Sequence, residues 1–337
     1  MLSPPYDLDI DDVVSAIEWE WQVRPRELAY LPVGFGAHHW DAQTDRGRFF
    51  VTVHDLRLHG APGDPVGVLR RTFRATRQLK EQAQLSSIAA ALPTVTGEIL
   101  VPVGSAFVLS LYDWIEIRPL DDPDGSVTAR VVAQLHLASA ACRQLDAPRE
   151  DFAMPHRTSL EEALRDLAAP WHTGPYGEPA RALLTRHQME VRRALASYDR
   201  LVLRVQQMDR PWCLTHGEPN GWNLVQDAAG APRLVDWDSA RIAPPERDLW
   251  QLDHQPQSVA TYQRLTGGPS PHPDILRLYR LWWDLAETAV YVLQFHRPHT
   301  ADANMAESWT NFQTYLPTAQ RWPDLSGDGL AELPNPT

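Results

Sequence analysis

Apolar residues recur along this chain with two different periods, and the change between them divides it. Ile10, Val13, Val14, Ile17 and Trp21 fall at helical spacing behind Asp9, Asp11 and Asp12, carboxylates that suit a helix N-terminus. The period then shortens. LAYLPVG (28–34), HHWDAQT (38–44) and FFVTVHDL (49–56) read as strands, with a DRG turn at 45–47. A Gly- and Pro-containing loop over 57–67 leads into a predicted helix over about 68–91, which holds Lys80 and Glu81. EILVPVGSAFVLSLYDW (98–114) reads as strand, Gly-Ser turn, strand.

After Trp114 the helical period takes over. Residues 126–145, 159–168, 178–208, 257–266, 273–296 and 301–315 are predicted helices, interrupted by one β-like island at about 212–238. The tail from Pro317 carries Pro, Gly and Asp and is read as irregular. The expectation is an α+β chain of two lobes. A small antiparallel sheet lobe spans 1–113, a large helical lobe spans 114–337, and a ligand cleft is expected between them.

Composition narrows the chemistry. With 31 basic and 43 acidic residues the net charge is −12, which argues against a nucleic-acid surface. Lys80 is the only lysine, so a P-loop cannot be built and Schiff-base chemistry would have to use that one residue. Cys142 and Cys213 are the only cysteines, too few for a disulfide framework or a four-cysteine metal site. No HExxH or paired-histidine spacing supports a metallohydrolase. The acidic N-terminus is unlike a signal peptide, and no apolar run is long enough to cross a bilayer, so a cytoplasmic protein with no membrane partner is expected. Thirteen tryptophans is a high count for this length.

The island carries the densest polar pattern, LTHGEPNGWNLV (214–225) followed by RLVDWDSA (233–240). Two short apolar runs flank a DAAGAP turn, so a hairpin would hold Asn223 before one strand and Asp236 at the end of the other. An amide oxygen and a carboxylate suit Mg2+, which takes few protein oxygens beside water and phosphate. Glu218, five residues before Asn223, is a candidate base near that metal.

These residues resemble the aminoglycoside phosphotransferase and choline kinase-like family, in its HGExxxxN form, whose members have a protein-kinase-like fold. The loop is His216-Gly217-Glu218-Pro219-Asn220-Gly221-Trp222-Asn223, and the later aspartate is Asp236, followed by Trp237 and Asp238. The resemblance runs from about Leu28 to Trp309. It implies that Glu218 accepts the acceptor hydroxyl's proton, that Asn223 and Asp236 hold Mg2+ with Asp238 beside them, and that His216 supports the loop. PPERDLW (244–250) resembles the stretch after this aspartate, with Asp248 as loop anchor and Asp253 nearby. WWDLAETAVY (282–291) resembles a helix facing the acceptor. There Asp284, Glu287 and Tyr291, at i, i+3 and i+7, share a face beside Trp283.

Two departures stand out. Glu218 replaces an aspartate and is one methylene longer. The phosphate-binding lysine of the third strand is missing, with Thr52 in its place, which leaves His54, Lys80, Arg70 or Arg71, Mg2+ or the glycine-loop amides as candidates to neutralise the phosphates. PVGFGAHHW (32–40), with Gly34 and Gly36, is placed to cover the phosphates. His38 and His39 follow those glycines and read first as strand histidines, with a nucleotide contact as the less favoured role. Leu111 and Tyr112, in the segment joining the lobes, offer backbone groups to a purine. The implied activity is transfer of the γ-phosphoryl group of ATP or GTP to a hydroxyl of a polar metabolite or antibiotic, with an aminoglycoside-like acceptor favoured. The rival is a kinase-like nucleotide- or ligand-binding protein with little transfer.

Overall fold

The computed structural model describes residues 1–58, 63–142 and 144–316. The tail from Pro317 and part of the 57–67 loop lie outside the described residues. In chain order the first elements are α1 (Ile10–Trp21), β1 (Pro25–Leu31), β2 (Ala37–Thr44), β3 (Gly47–Asp55), α2 (Pro65–Ala83), β4 (Val101–Val103), β5 (Phe107–Asp113) and β6 (Ile117–Pro119). Then come α3 (Ser126–Ala141), α4 (Arg157–Arg165), α5 (Gly177–Gln206), β7 (Cys213–Thr215), β8 (Leu224–Asp227), β9 (Pro232–Leu234) and β10 (Arg241–Ala243). The last are α6 (Glu246–Leu249), α7 (Pro256–Thr266), α8 (Pro273–His296) and α9 (Ala303–Tyr315). The fold is α+β, as the patterning predicts.

The chain forms two compact units. One combines Met1–Asp151 with Arg210–Leu276; the other combines Phe152–Asp209 with the chain from Arg277. The first holds a five-stranded antiparallel sheet in the order β1-β2-β3-β5-β4. Side chains alternate across it. Trp40, Ala42, Val51, Val53, Leu109 and Leu111 bury one face against Val13, Ile17 and Trp21 of α1. At about 1.5–3 kcal/mol per buried large side chain, this core fixes the register, because a one-residue slip would move it to the other face. The opposite face carries His39, Phe50, Thr52, His54, Val108, Ser110 and Tyr112. It turns toward Phe73 of α2 and toward Leu234 and Trp237.

Several boundaries differ from the sequence reading, each for a local reason. The first strand ends at Leu31 because Gly34 takes φ +69 and turns the chain. The helix read over 68–91 starts earlier, at Pro65 behind the Asp64 cap, and stops at Ala83 where Gln84 adopts φ +53. The helix read over 126–145 ends at Ala141, where Cys142 turns extended. The short strands β6 and β10 were not expected. The first joins the β8–β9 hairpin as an edge, and the second pairs with β7.

In the second unit, Tyr198 of α5 donates to Phe152 O at 2.6 Å, and Trp282 of α8 donates to Ala153 O at 3.0 Å. Phe295 of α8 packs with Trp309 and Phe312 of α9. No helix among the described residues is long and apolar enough to cross a membrane.

Candidate active site

The polar island folds as a tight loop feeding a hairpin. Asn220 N donates to Glu218 O at 2.8 Å, Leu224 N donates to Asn220 O at 2.7 Å, and β8 begins at once. The Asn223 side-chain amide donates to Glu218 O at 3.1 Å, which turns its Oδ1 away from the loop backbone. Across the hairpin Val235 N donates to Asn223 O at 2.8 Å, so the next residue, Asp236, is carried to the same end. Asp236 has φ +63, a conformation that costs a non-glycine residue energy and aims its carboxylate out of the strand path.

Asp236 feels the charges of Asp238 and Glu218. Crowding by protein atoms, then the Asp238 and Glu218 carboxylates, push the Asp236 carboxyl well above the usual carboxylate range, although the residue stays open to solvent. Openness and crowding are compatible at the wall of a concave site. Hard oxygens under mutual repulsion fit a divalent cation. Among the described residues no three His, Cys, Asp or Glu side chains form a self-sufficient metal cage. A Mg2+ held by Asn223 Oδ1, the Asp236 carboxylate, phosphate and water does not need one.

His216 ties the two halves together. Its Nδ1 accepts from Glu218 N at 3.2 Å and its Nε2 donates to Val235 O at 2.7 Å, which fixes the tautomer with the proton on Nε2. Burial lowers its pKa, with the Asp248 charge opposing, and Trp237 meets the ring edge-on at 4.7 Å. Asp248 is fully buried. Its Oδ2 accepts from His216 N at 2.9 Å and from His136 Nε2 at 3.0 Å, and its Oδ1 accepts from Gly217 N at 2.6 Å. Burial alone would raise the Asp248 pKa, but His136, His216 and Arg247 hold it low. Burial alone would lower the His136 pKa, but Cys213 and Asp248 hold it well above the ordinary imidazole value. The pair is therefore ionic.

Arg247 is the residue that sequence reasoning missed. Its buried guanidinium donates to Thr215 Oγ1 at 3.1 Å and Ser239 O at 2.9 Å, with Glu150 at 3.5 Å. It lies against Gly217, whose φ is +105 and whose missing Cβ would come within 2.5 Å of it. Ser239 Oγ donates to His216 O at 2.8 Å. Beside the loop a cavity of about 200 Å3 is lined by Leu120, Asp122, Thr128, Asn220, Gln251 and Gln255.

The sheet contributes the other wall. Tyr112 lies within reach of the Asp236 and Asp238 charges and meets Phe73 edge-on at 6.5 Å. Burial pushes its phenol up, opposed by the neighbouring Ser110 hydroxyl. That approach falls short of hydrogen-bond geometry, and the buried Ser110 Oγ has no partner among the described residues. Thr52 and His54 lie on this same face, opposite Ser110 and Val108 of β5. Gly34 and Gly36, at φ +69 and +98, form the β1–β2 turn above it, where the Met1 amino group donates to Val33 O at 3.3 Å and Gly34 O at 2.5 Å. Leu111 lies on the α1 face, and its carbonyl is taken by Leu92 N at 2.7 Å.

The other residues lie on helices. Lys80 is in the last turn of α2, where the charges acting most strongly on it belong to Asp113, Arg77, Arg233 and Glu81, and burial lowers its pKa. Arg70 pairs with Glu98 at 3.3 Å, and Arg71 is exposed. Asp284, Glu287, Trp283 and Tyr291 lie on α8 in the second unit. Asp284 is buried, and Tyr291 is packed with Phe312 and Tyr315 and has its phenol pushed up by burial and by Glu287.

Residues 27–279 match the phosphotransferase enzyme family, and the chain belongs to it. Protein StrN of Streptomyces griseus is 31% identical over 244 residues, covering 68% of this chain and 72% of that protein. Among solved structures, a spectinomycin phosphotransferase in complex with ADP and spectinomycin superposes with a TM-score of 0.66 at 14% identity, over 92% of this chain and 95% of that one. A microcompartment-associated aminopropanol kinase gives 0.60 at 15% identity, over 94% and 98%. The choline kinase LicA from Streptococcus pneumoniae gives 0.53 at 14% identity, over 92% and 99%. At these identities the likeness to solved structures establishes the fold, which is kinase-like.

Proposed function

We propose that this protein moves the γ-phosphoryl group of a nucleoside triphosphate to a hydroxyl of a small polar acceptor. The observation that carries this reading is the convergence of Glu218, Asn223 and Asp236 at one end of a loop and hairpin clamped by His216. Glu218 takes the proton as the acceptor oxygen bonds to the γ-phosphorus, and the bond to the β-phosphate oxygen breaks, leaving a nucleoside diphosphate. Asn223 Oδ1 and the Asp236 carboxylate are the groups that would hold Mg2+, which when bound neutralises charge on the phosphate oxygens. His216 and Asp248 position Glu218 by fixing the backbone N–H groups at it and at the two residues before it.

The favoured acceptor is cationic and aminoglycoside-like. Two considerations support it: the net charge of −12, and the spectinomycin, aminopropanol and choline named for proteins of this fold. Asp284, Glu287 and Trp283 on α8 are the acidic and aromatic groups assigned to that acceptor. A second reading, a kinase-like binding protein with little transfer, is favoured by Thr52 on β3 where a lysine is expected.

A nucleotide-consumption screen over amino-alcohol, aminocyclitol and aminoglycoside acceptors, with ATP and GTP as donors, tests both readings. Glu218→Gln should lower turnover by about 10²-fold or more while leaving nucleotide affinity unchanged. An unchanged rate in that variant refutes the assigned base. Binding of Mg-nucleotide without transfer to any acceptor selects the second reading.

A further inference from the structure

The sheet face that looks toward the acidic loop bears no lysine. Its one arginine, Arg48, is spent at the far end, where Nε and a terminal nitrogen grip Asp41 at 2.8 and 2.9 Å and the guanidinium covers Trp114 at 3.5 Å. What remains under the glycine turn is a neutral row: His39 on β2, Thr52 on β3 and Ser110 on β5, joined in register through the strand pairs His39–Thr52 and Thr52–Ser110.

We propose that His39 is the group through which this sheet meets the nucleotide's phosphates, donating from Nε2 while Thr52 holds the ring from the Nδ1 side. The proposal rests on the nucleotide-dependent reading above. Three observations fix the ring. Thr52 Oγ1 lies 3.2 Å from His39 Nδ1, so the threonine in the lysine's strand position serves as the histidine's support. The imidazole stacks on Phe50, with centroids 4.9 Å apart and planes 29° apart. Its Nε2 points at the glycine turn, for a Cβ on Gly34 would stand 3.2 Å from it. That nitrogen has no hydrogen-bond partner among the described residues, and the residue is half-buried rather than sealed.

The surroundings make the ring a neutral donor. Burial, then the His54 imidazole, the Met1 amino group and the His38 imidazole, push its pKa down to about 3, and Asp41 farther along the strand is occupied by Arg48. The proposed role takes the tautomer in which Thr52 Oγ1 donates to Nδ1, which puts the proton on Nε2, toward the turn. A neutral N–H gives one directed hydrogen bond to a charged oxygen where a lysine would give a diffuse point charge. His54 lies farther along the same face, buried against Phe73 at 5.8 Å, and is the less accessible of the two.

The test compares nucleosides with their triphosphates. Titration calorimetry of the full chain with adenosine, guanosine, ATP and GTP, in excess Mg2+, gives the affinity gain due to the phosphates. His39→Phe keeps the stack on Phe50 and removes the donor. It should cut that gain about tenfold or more while moving nucleoside affinity less than twofold. His39→Gln restores a donor and should recover part of the gain. Thr52→Val, which keeps the strand packing, should lose a smaller part. A phosphate gain unchanged in His39→Phe overturns the proposal while leaving nucleotide binding intact. No binding of any nucleoside or triphosphate by the wild type overturns the nucleotide reading and this one with it. If His39→Phe does not fold, Thr52→Val decides: an undiminished gain there overturns the proposal.

Discussion

Asp248→Asn removes one charge from a carboxylate that takes three hydrogen bonds, from His216 N, Gly217 N and His136 Nε2. An asparagine keeps one acceptor oxygen. If that oxygen stays with Gly217 N, the new NH2 faces the His216 N–H, donor against donor. His136 can relieve its own side by losing its proton and accepting through Nε2, while Nδ1–H donates to Tyr262 across 2.8 Å. One buried N–H is then orphaned and one ionic hydrogen bond is gone, for a total of about 2–4 kcal/mol. The loss also has a pH signature. His136 has a folded pKa raised above its unfolded value of about 6.5, so its contribution is complete below that value and is lost as pH rises through the folded pKa. Asp248 has a folded pKa held low, so its contribution is present above about 3.8 and is lost as pH falls through the folded pKa. The gap between wild type and variant should therefore be widest between about pH 4 and 6.5 and narrow on the alkaline side. Urea unfolding of both proteins across that range, read as a shift in midpoint at constant slope, measures it. A gap below about 0.5 kcal/mol, or one independent of pH, refutes the ionic assignment of the pair.

Gly217→Ala drives a Cβ into the Arg247 guanidinium at a φ of +105, and should cost about 2–4 kcal/mol in thermal unfolding. In an Arg247→Ala background the added cost should shrink toward the backbone strain alone, about 1–2 kcal/mol. Asp236→Asn should stabilise the protein in the presence of a chelator, by less than the full shift implies because the residue is open to solvent, since a carboxylate whose folded pKa is raised opposes folding at neutral pH. The same variant should abolish the stabilisation that Mg2+ with nucleotide gives the wild type; a chelator-independent loss of stability would count against the like-charge cluster. Lys80→Ala should leave triphosphate affinity within twofold, since that side chain sits among Asp113, Arg77, Arg233 and Glu81; a tenfold loss by calorimetry would place it at the phosphates after all.

What the sequence disclosed follows from which interactions are local. The β8–β9 hairpin was legible because DAAGAP can only be a turn between two apolar runs, and Glu218, Asn223 and Asp236 came with it. The end of α2 was not legible, because Gln84 carries no sign of a left-handed stop and the apolar spacing continues past it. The pairing of β7 with β10 joins three-residue strands about 26 positions apart, with no alternation long enough to register. Arg247 is one of thirty arginines, and only the missing Cβ of Gly217 against its guanidinium singles it out. His136 is worse placed still, for its partner lies 112 residues away and nothing near it is polar in pattern. His39 could be seen after Gly34 and Gly36, but its tie to Thr52 depends on strand register, which spacing alone does not supply.

The His216 ring has a consequence for acid tolerance. Its Nδ1 must stay bare to receive the Glu218 N–H, so protonating the imidazole sets two donors face to face within the loop. Burial keeps that event below the ordinary imidazole range. When it comes, the loop must open to accommodate it, and the spacing between Glu218 and Asp236 is lost whether or not either carboxylate has taken up a proton. The loop's acid opening is then set by the residue two positions before the assigned base, and it should look like a cooperative loss of shape rather than the titration of a single carboxylate.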